Sequence, residues 1–135
     1  MDTCTHFLRL VFAGLFDAYP DLRLILGHLG EGLPFWIHRL NDHTQFAAKR
    51  RGLKEPPAQY LRENLVVTTS GNFFMLAFLC TLMALGADNI LFSVDWPYES
   101  NRIAADWLNH LQITDRDKEK VCHLNAERVL GLQTF

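Results

Sequence analysis

Three short, nearly continuous apolar runs, each leading into a polar turn and then a helical pattern, constrain this chain more than any other feature. Residues 22–28 (Leu22-Arg23-Leu24-Ile25-Leu26-Gly27-His28) follow the turn signal Tyr19-Pro20-Asp21. Residues 65–70 (Leu65-Val66-Val67-Thr68-Thr69-Ser70) follow Arg62-Glu63-Asn64. Residues 89–95 (Asn89-Ile90-Leu91-Phe92-Ser93-Val94-Asp95) follow Gly86-Ala87-Asp88, with Gly86 placed to end a helix. Strands with one wet face alternate apolar and polar residues; strands covered on both faces do not, so runs of this kind indicate a parallel sheet.

Helical patterns fill the intervals. Residues 5–18 space Leu8, Val11, Phe12, Leu15 and Phe16 along one face. Residues 32–50 open on Gly32-Leu33-Pro34, where proline is tolerated in a first turn, and close on Lys49-Arg50-Arg51, which suits a solvated helix C-terminus. Residues 73–85 form an almost wholly apolar helix; residues 101–111 and 115–130 complete the set. The order α-βα-βα-βα-α predicts a single domain of the α/β class with right-handed crossovers. Three parallel strands are too few for either common parallel architecture. An open doubly wound sheet usually has about five or six, and a (β/α) barrel closes with eight. The chain therefore reads as part of a larger fold.

Several function classes are excluded early. Lys plus Arg number 13 against 15 Asp plus Glu, a formal net charge of −2, so nothing favours nucleic acid or an acidic membrane. The longest apolar stretch, residues 73–85, is shorter than the ~20 residues of a bilayer span, and no leader is visible at Met1-Asp2-Thr3-Cys4. A soluble, cytoplasmic protein is expected. The three cysteines, Cys4, Cys80 and Cys122, form no CxxC pair and read as reduced thiols. HExxH, HxH, GxGxxG and Walker patterns are all missing, which disfavours local metal-ligand pairs and a nucleotide fold.

In parallel α/β folds chemistry collects where strands end. The first run ends at Gly27-His28-Leu29-Gly30-Glu31, the second at Ser70-Gly71-Asn72, and the third at Asp95-Trp96-Pro97-Tyr98-Glu99. His28 is open to three readings: general base, metal ligand, or satisfied structural histidine. A nearby carboxylate, Glu31, would fix its tautomer and raise its basicity. An ionised Asp95 beside aromatic residues is costly unless paired or bound to metal. Ser70, Gly71 and Asn72 serve either as substrate contacts or as a turn capping the next helix. The remaining histidines, including His38 and His43, fall in or near helices.

At these residues the chain resembles the amidohydrolase-related decarboxylases. Residues 19–34, 68–73 and 90–99 are similar to the sixth, seventh and eighth strand–loop–helix units, and residues 125–132 to the C-terminal helix. The likeness is nearest to γ-resorcylate and 2,3-dihydroxybenzoate decarboxylases, with aminocarboxymuconate-semialdehyde decarboxylase more distant. It implies the C-terminal part of a metal-dependent (β/α)8 barrel, covering residues 1–135, whose complete form removes carbon dioxide from hydroxybenzoate-type acids without redox chemistry. It further implies one divalent metal, zinc or manganese, with Asp95 as ligand and proton-transfer group. The other ligands would lie on strands not present in this chain. His28 would act in acid–base chemistry with Glu31 as its carboxylate partner. Arg39 would face the substrate's carboxylate or phenolate, and Ser70 and Asn72 would contact the small aromatic acid. A homo-oligomer is expected for the complete enzyme.

Two alternatives stay open. The same fold supports hydrolysis of a lactone or amide, and a chain lacking most metal ligands could be a catalytically inactive binding or structural protein. For a partial barrel, Leu24, Leu26, Val67 and Phe92, or their alternates on the same strands, should form the inner face.

Overall fold

A computed structural model describes residues 2–132. Three strands, β1 (Leu24–Leu26), β2 (Leu65–Thr68) and β3 (Ile90–Leu91), form one parallel sheet in the order β1-β2-β3. Leu24, Ile25 and Leu26 pair with Leu65, Val66 and Val67, and Val67 and Thr68 pair with Ile90 and Leu91. Helices α1 (Asp2–Phe12) and α2 (Leu15–Ala18) precede β1; α3 (Leu33–Arg50) and α4 (Pro57–Glu63) link β1 to β2; α5 (Met75–Leu85) links β2 to β3. Then follow α6 (Asn101–Asn109), α7 (Asp115–Glu119) and α8 (Asn125–Leu130). The βα-βα-βα order is the one expected.

One face of the sheet carries the core. Leu65, Val67 and Ile90 pack with Phe7, Val11, Leu29, Leu61 and Phe78, and Leu24, Leu26 and Phe92 lie against that cluster. The two-residue period of a strand puts Ile25, Val66, Thr68 and Leu91 on the opposite face. The inner face is therefore made by the alternates: Leu24, Leu26 and Val67 point at the helices. Ile25 is 47% exposed, whereas Val66 and Leu91 are buried.

Boundaries differ from expectation for local reasons. The first helix starts at Asp2 and breaks where Gly14 adopts φ 77, a conformation only glycine takes without strain. The strands are shorter than the apolar runs: past β1 the chain turns at His28 with positive φ, and past β3 the Phe92 amide bonds the Val121 carbonyl and the Ser93 amide the Thr69 hydroxyl. Helix α4 lies in a stretch to which the sequence pattern assigns no element; Pro57 occupies its first turn. The predicted helix 115–130 contains a π-helical turn at Lys120–Leu124, where the Val121 carbonyl accepts the Phe92 amide at 2.8 Å. That bond ties the C-terminal helices to the outer edge of β3.

Two buried asparagines hold the strand entries: Asn64 joins those of β1 and β2, and Asn125 ties α8 to that of β3. The Asn64 amide donates to the carbonyls of Pro20 and Leu22, both at 2.9 Å, and that of Asn125 to Ala87 and Ile90 at 2.7 and 2.8 Å. Among the described residues no helix is long and apolar enough to cross a membrane, and Cys4, Cys80 and Cys122 form no disulfide.

Candidate active site

Among the described residues, four that are not glycine have positive φ: His28 (54°), Leu29 (55°), Glu31 (59°) and Asp95 (81°). All lie just beyond the C-terminal ends of β1 and β3. Such conformations cost on the order of 1–3 kcal/mol each and persist where the surroundings over-determine them, which happens most often at functional sites. Three of the four are residues singled out for chemistry.

Gly71, at the end of β2, lies between them. A Cβ added to Gly71 would stand 3.2 Å from Asp95 Oδ2 and 3.2 Å from His28 Nδ1, so the carboxylate and the imidazole converge on one point. Gly71 itself has φ 61. The absent side chain thus has two reasons: backbone conformation and lack of room. The sequence leaves Ser70-Gly71-Asn72 open between substrate contact and helix-capping turn, and nothing in it marks Gly71 as the point where the two side chains meet.

His28 Nδ1 lies 2.7 Å from the Ser70 carbonyl oxygen. A carbonyl only accepts, so Nδ1 carries the hydrogen and donates it. The neutral ring then has its lone pair on Nε2, and a protonated ring has its second, transferable hydrogen there. The Ser70 hydroxyl shares a short hydrogen bond with the Thr68 hydroxyl, and the Asn72 amide donates to the Thr69 carbonyl at 2.9 Å, closing the turn that presents Gly71. On the third side, the Asp95 carbonyl accepts the amides of Tyr98 at 2.8 Å and Glu99 at 3.2 Å, so a turn grips the backbone just after the carboxylate.

The other nominated residues stand further out. Arg39 is exposed along α3. Glu31 borders a cavity between α3 and α5 of about 300 Å³ that is lined by Leu29, Pro34, Phe35, Phe74 and Leu76 as well. Its backbone amide bonds the His28 carbonyl at 3.0 Å, which fixes the tight turn between them. His38 pairs with Asp42 on the exposed side of α3, and His123 with Glu127 on α8.

As a metal site the arrangement fits in part. Asp95 offers a carboxylate oxygen toward the gap left by Gly71, with His28 beside it. Among the described residues there is no group of three or more His, Cys, Asp or Glu side chains placed to hold an ion. A mononuclear site here needs donors from outside the chain.

The amidohydrolase family model matches residues 1–132. The chain is 41% identical over 138 residues to the γ-resorcylate decarboxylase of Rhizobium radiobacter, an alignment covering 97% of this chain and 41% of that protein. It superposes with a TM-score of 0.90 on the dihydroxybenzoic acid decarboxylase of Polaromonas sp. JS666, which holds manganese and the inhibitor 2-nitroresorcinol. Identity there is 39%, over 98% of this chain and 41% of the other. A 2,6-dihydroxybenzoate decarboxylase complexed with 2,6-dihydroxybenzoate matches at TM-score 0.89 and 42% identity, over 96% of this chain and 41% of the other. The chain thus spans about two-fifths of the length of the relatives it matches, and its three βα units are a portion of an amidohydrolase-type barrel. Fold, strand-end geometry and sequence agree: the chain belongs to the amidohydrolase family.

Proposed function

We propose that the complete protein carrying this chain is a divalent-metal-dependent, non-oxidative decarboxylase of hydroxybenzoate-type acids. The observation that carries this reading is the meeting of His28 and Asp95 across Gly71. It has a proton carrier and an anionic oxygen donor at one place, at the strand ends where barrel enzymes work. The manganese-bound relative and those named for dihydroxybenzoates support this substrate class.

A bound divalent cation would hold the phenolate and carboxylate oxygens and offset their charge. Asp95 would be this chain's ligand to it. His28, with Nδ1–H held by Ser70, would deliver the Nε2 proton to the ring carbon that bears the carboxylate. The bond between that carbon and the carboxylate then breaks, its electron pair restores the aromatic ring, and carbon dioxide leaves. No electrons leave the substrate, so no redox partner is required. Glu31 would orient or recharge His28, and Ser70 and Asn72 would line the aromatic acid. Arg39, exposed on α3, would need the complete assembly to reach an acid group.

A homo-oligomer is part of this proposal. Helix α5 has no charged residue, and Leu76 and Met83 are 66% and 87% exposed, which suits burial against a second copy. The cytoplasm, where thiols stay reduced, suits three cysteines that form no disulfide.

The test is carbon dioxide and resorcinol release from 2,6-dihydroxybenzoate by the complete protein loaded with manganese. Turnover that is lost on chelation and regained with metal is expected. Hydrolysis of lactones with no action on dihydroxybenzoates would overturn the assignment.

A further inference from the structure

We infer that Thr69 is the positioning residue for Asp95: its hydroxyl replaces two backbone hydrogen bonds of the sheet and so sets where the Asp95 carboxylate stands. In a parallel ladder a residue donates its amide to one neighbour on the adjacent strand and accepts at its carbonyl from the residue two further on. The pairing of Thr68 with Leu91 extends to Thr69 opposite Phe92. The Thr69 amide keeps its ladder bond, to the Leu91 carbonyl at 3.0 Å. The next bond should run from the Ser93 amide to the Thr69 carbonyl, and the one after from the Gly71 amide to the Ser93 carbonyl.

Neither forms. The Ser93 amide donates to Thr69 Oγ1 at 3.0 Å, and Thr69 Oγ1 donates to the Ser93 carbonyl at 2.7 Å. The Thr69 carbonyl is thereby freed to accept the Asn72 amide, and the Gly71 amide moves one residue along, to the Val94 carbonyl at 3.3 Å. One hydroxyl therefore satisfies both polar groups of Ser93 and shifts the register of the two strand ends by one residue. The shift brings Asp95 alongside Gly71 instead of past it. Thr69 is fully buried, so no water replaces its hydroxyl. A serine or threonine is required for this double role; valine fills the space and leaves both Ser93 groups without a partner.

The effect on metal rests on the function proposed above; the hold on residues 93–95 does not. The test compares Thr69→Val, Thr69→Ser and, as a control at the other end of the sheet, Tyr60→Phe, all in the complete protein. Amide exchange of Ser93 and Gly71 in the metal-free protein should accelerate about tenfold or more in the valine variant and stay near wild type in the serine variant. Manganese affinity, read by electron paramagnetic resonance, should fall about tenfold or more with valine and recover with serine, because residues that orient a metal ligand are worth ~10–100-fold. Tyr60→Phe should lower the melting temperature and leave both readouts unchanged. If the valine protein does not fold, Thr69→Cys, with a weaker donor of similar size, should move both readouts in the same direction. Unchanged exchange and affinity in the valine variant, or a serine variant as impaired as valine, would overturn the inference. A wild-type protein that takes up no manganese would overturn the metal reading alone, and the exchange measurement would still decide the role of Thr69.

Discussion

His28 donates its Nδ1 hydrogen to the Ser70 carbonyl across 2.7 Å, a contact made by residues 42 apart in sequence. The bond fixes Nδ1 as the ring nitrogen that carries hydrogen, and it does so with backbone from the neighbouring strand. In the complete enzyme His28→Ala should lower turnover ~100-fold or more, since a positioned acid–base group contributes ~10²–10⁴-fold. Manganese content should change much less. Loss of metal with chemistry surviving on reconstitution would show that the roles of His28 and Asp95 had been exchanged.

Asp95→Asn makes the complementary case. The amide keeps the shape and the backbone turn held by Tyr98 and Glu99, but offers a neutral, weaker oxygen donor. Metal-dependent turnover should vanish and bound manganese should drop, while the melting temperature stays within a few degrees of wild type. Near-normal metal content and turnover would remove Asp95 from the site.

Gly71→Ala tests the geometry between them. The new methyl meets Asp95 Oδ2 and His28 Nδ1 at 3.2 Å each, on a residue with φ 61. Left-handed backbone costs a non-glycine residue about 1–2 kcal/mol, so a modest fall in stability is expected. The loss of activity should be far larger than that fall predicts, because both groups are displaced at once. An alanine variant with normal turnover would mean that the two side chains do not act together.

Away from the site, Tyr60 gives a pH signature. Its buried hydroxyl donates to Asp17 Oδ1 at 2.6 Å and accepts the Glu55 amide at 3.0 Å. Burial, and then the Asp17 carboxylate, push its pKa from 10.0 up to about 12. The folded state thus holds the phenolic proton more tightly than the unfolded one. That stability, on the order of 2 kcal/mol, is complete below pH ~10 and disappears as pH rises from there toward 12. Tyr60→Phe should cost about 1–2 kcal/mol at neutral pH and should flatten the alkaline fall. An alkaline transition of the same slope in both proteins would sink this assignment.

The three strands and the helices around them were legible because their signals are local: apolar runs, turn residues, helical spacing. His28 and Asp95 were legible for a topological reason, that parallel strands deliver their chemistry at one end. What closes the site was not legible. The Ser70 carbonyl, the missing Cβ of Gly71 and the Thr69 hydroxyl act through backbone geometry across strands, and a strand-end threonine reads as an ordinary β-branched residue. The division of the strands into faces was not legible either. Unbroken apolar runs carry no parity, so Leu24, Leu26 and Val67 could be assigned to either side until the pairing with Leu65 and Ile90 was fixed.

The last prediction concerns these 135 residues alone. The inner face is less bare than a three-stranded remnant suggests, because Val66 and Leu91 are buried and the Val121 carbonyl occupies the Phe92 amide at the β3 edge. Elsewhere the surface is strongly apolar. Ile25 lies open on β1, and Phe35, Phe46, Phe74, Leu76 and Met83 are between 59% and 87% exposed. Fully burying a side chain of this size gains ~1.5–3 kcal/mol over exposure. Five or six left in water amount to a deficit comparable with the whole ~5–15 kcal/mol stability of a typical domain. The open β1 edge adds a template for pairing with other chains. The isolated chain should therefore elute as oligomer or aggregate in size exclusion and melt broadly. With no group of three or more metal-ligating side chains among the described residues, it should release no carbon dioxide from 2,6-dihydroxybenzoate with any divalent metal. A monomer with a sharp cooperative transition, or measurable turnover, would show that three βα units suffice for both the core and the chemistry.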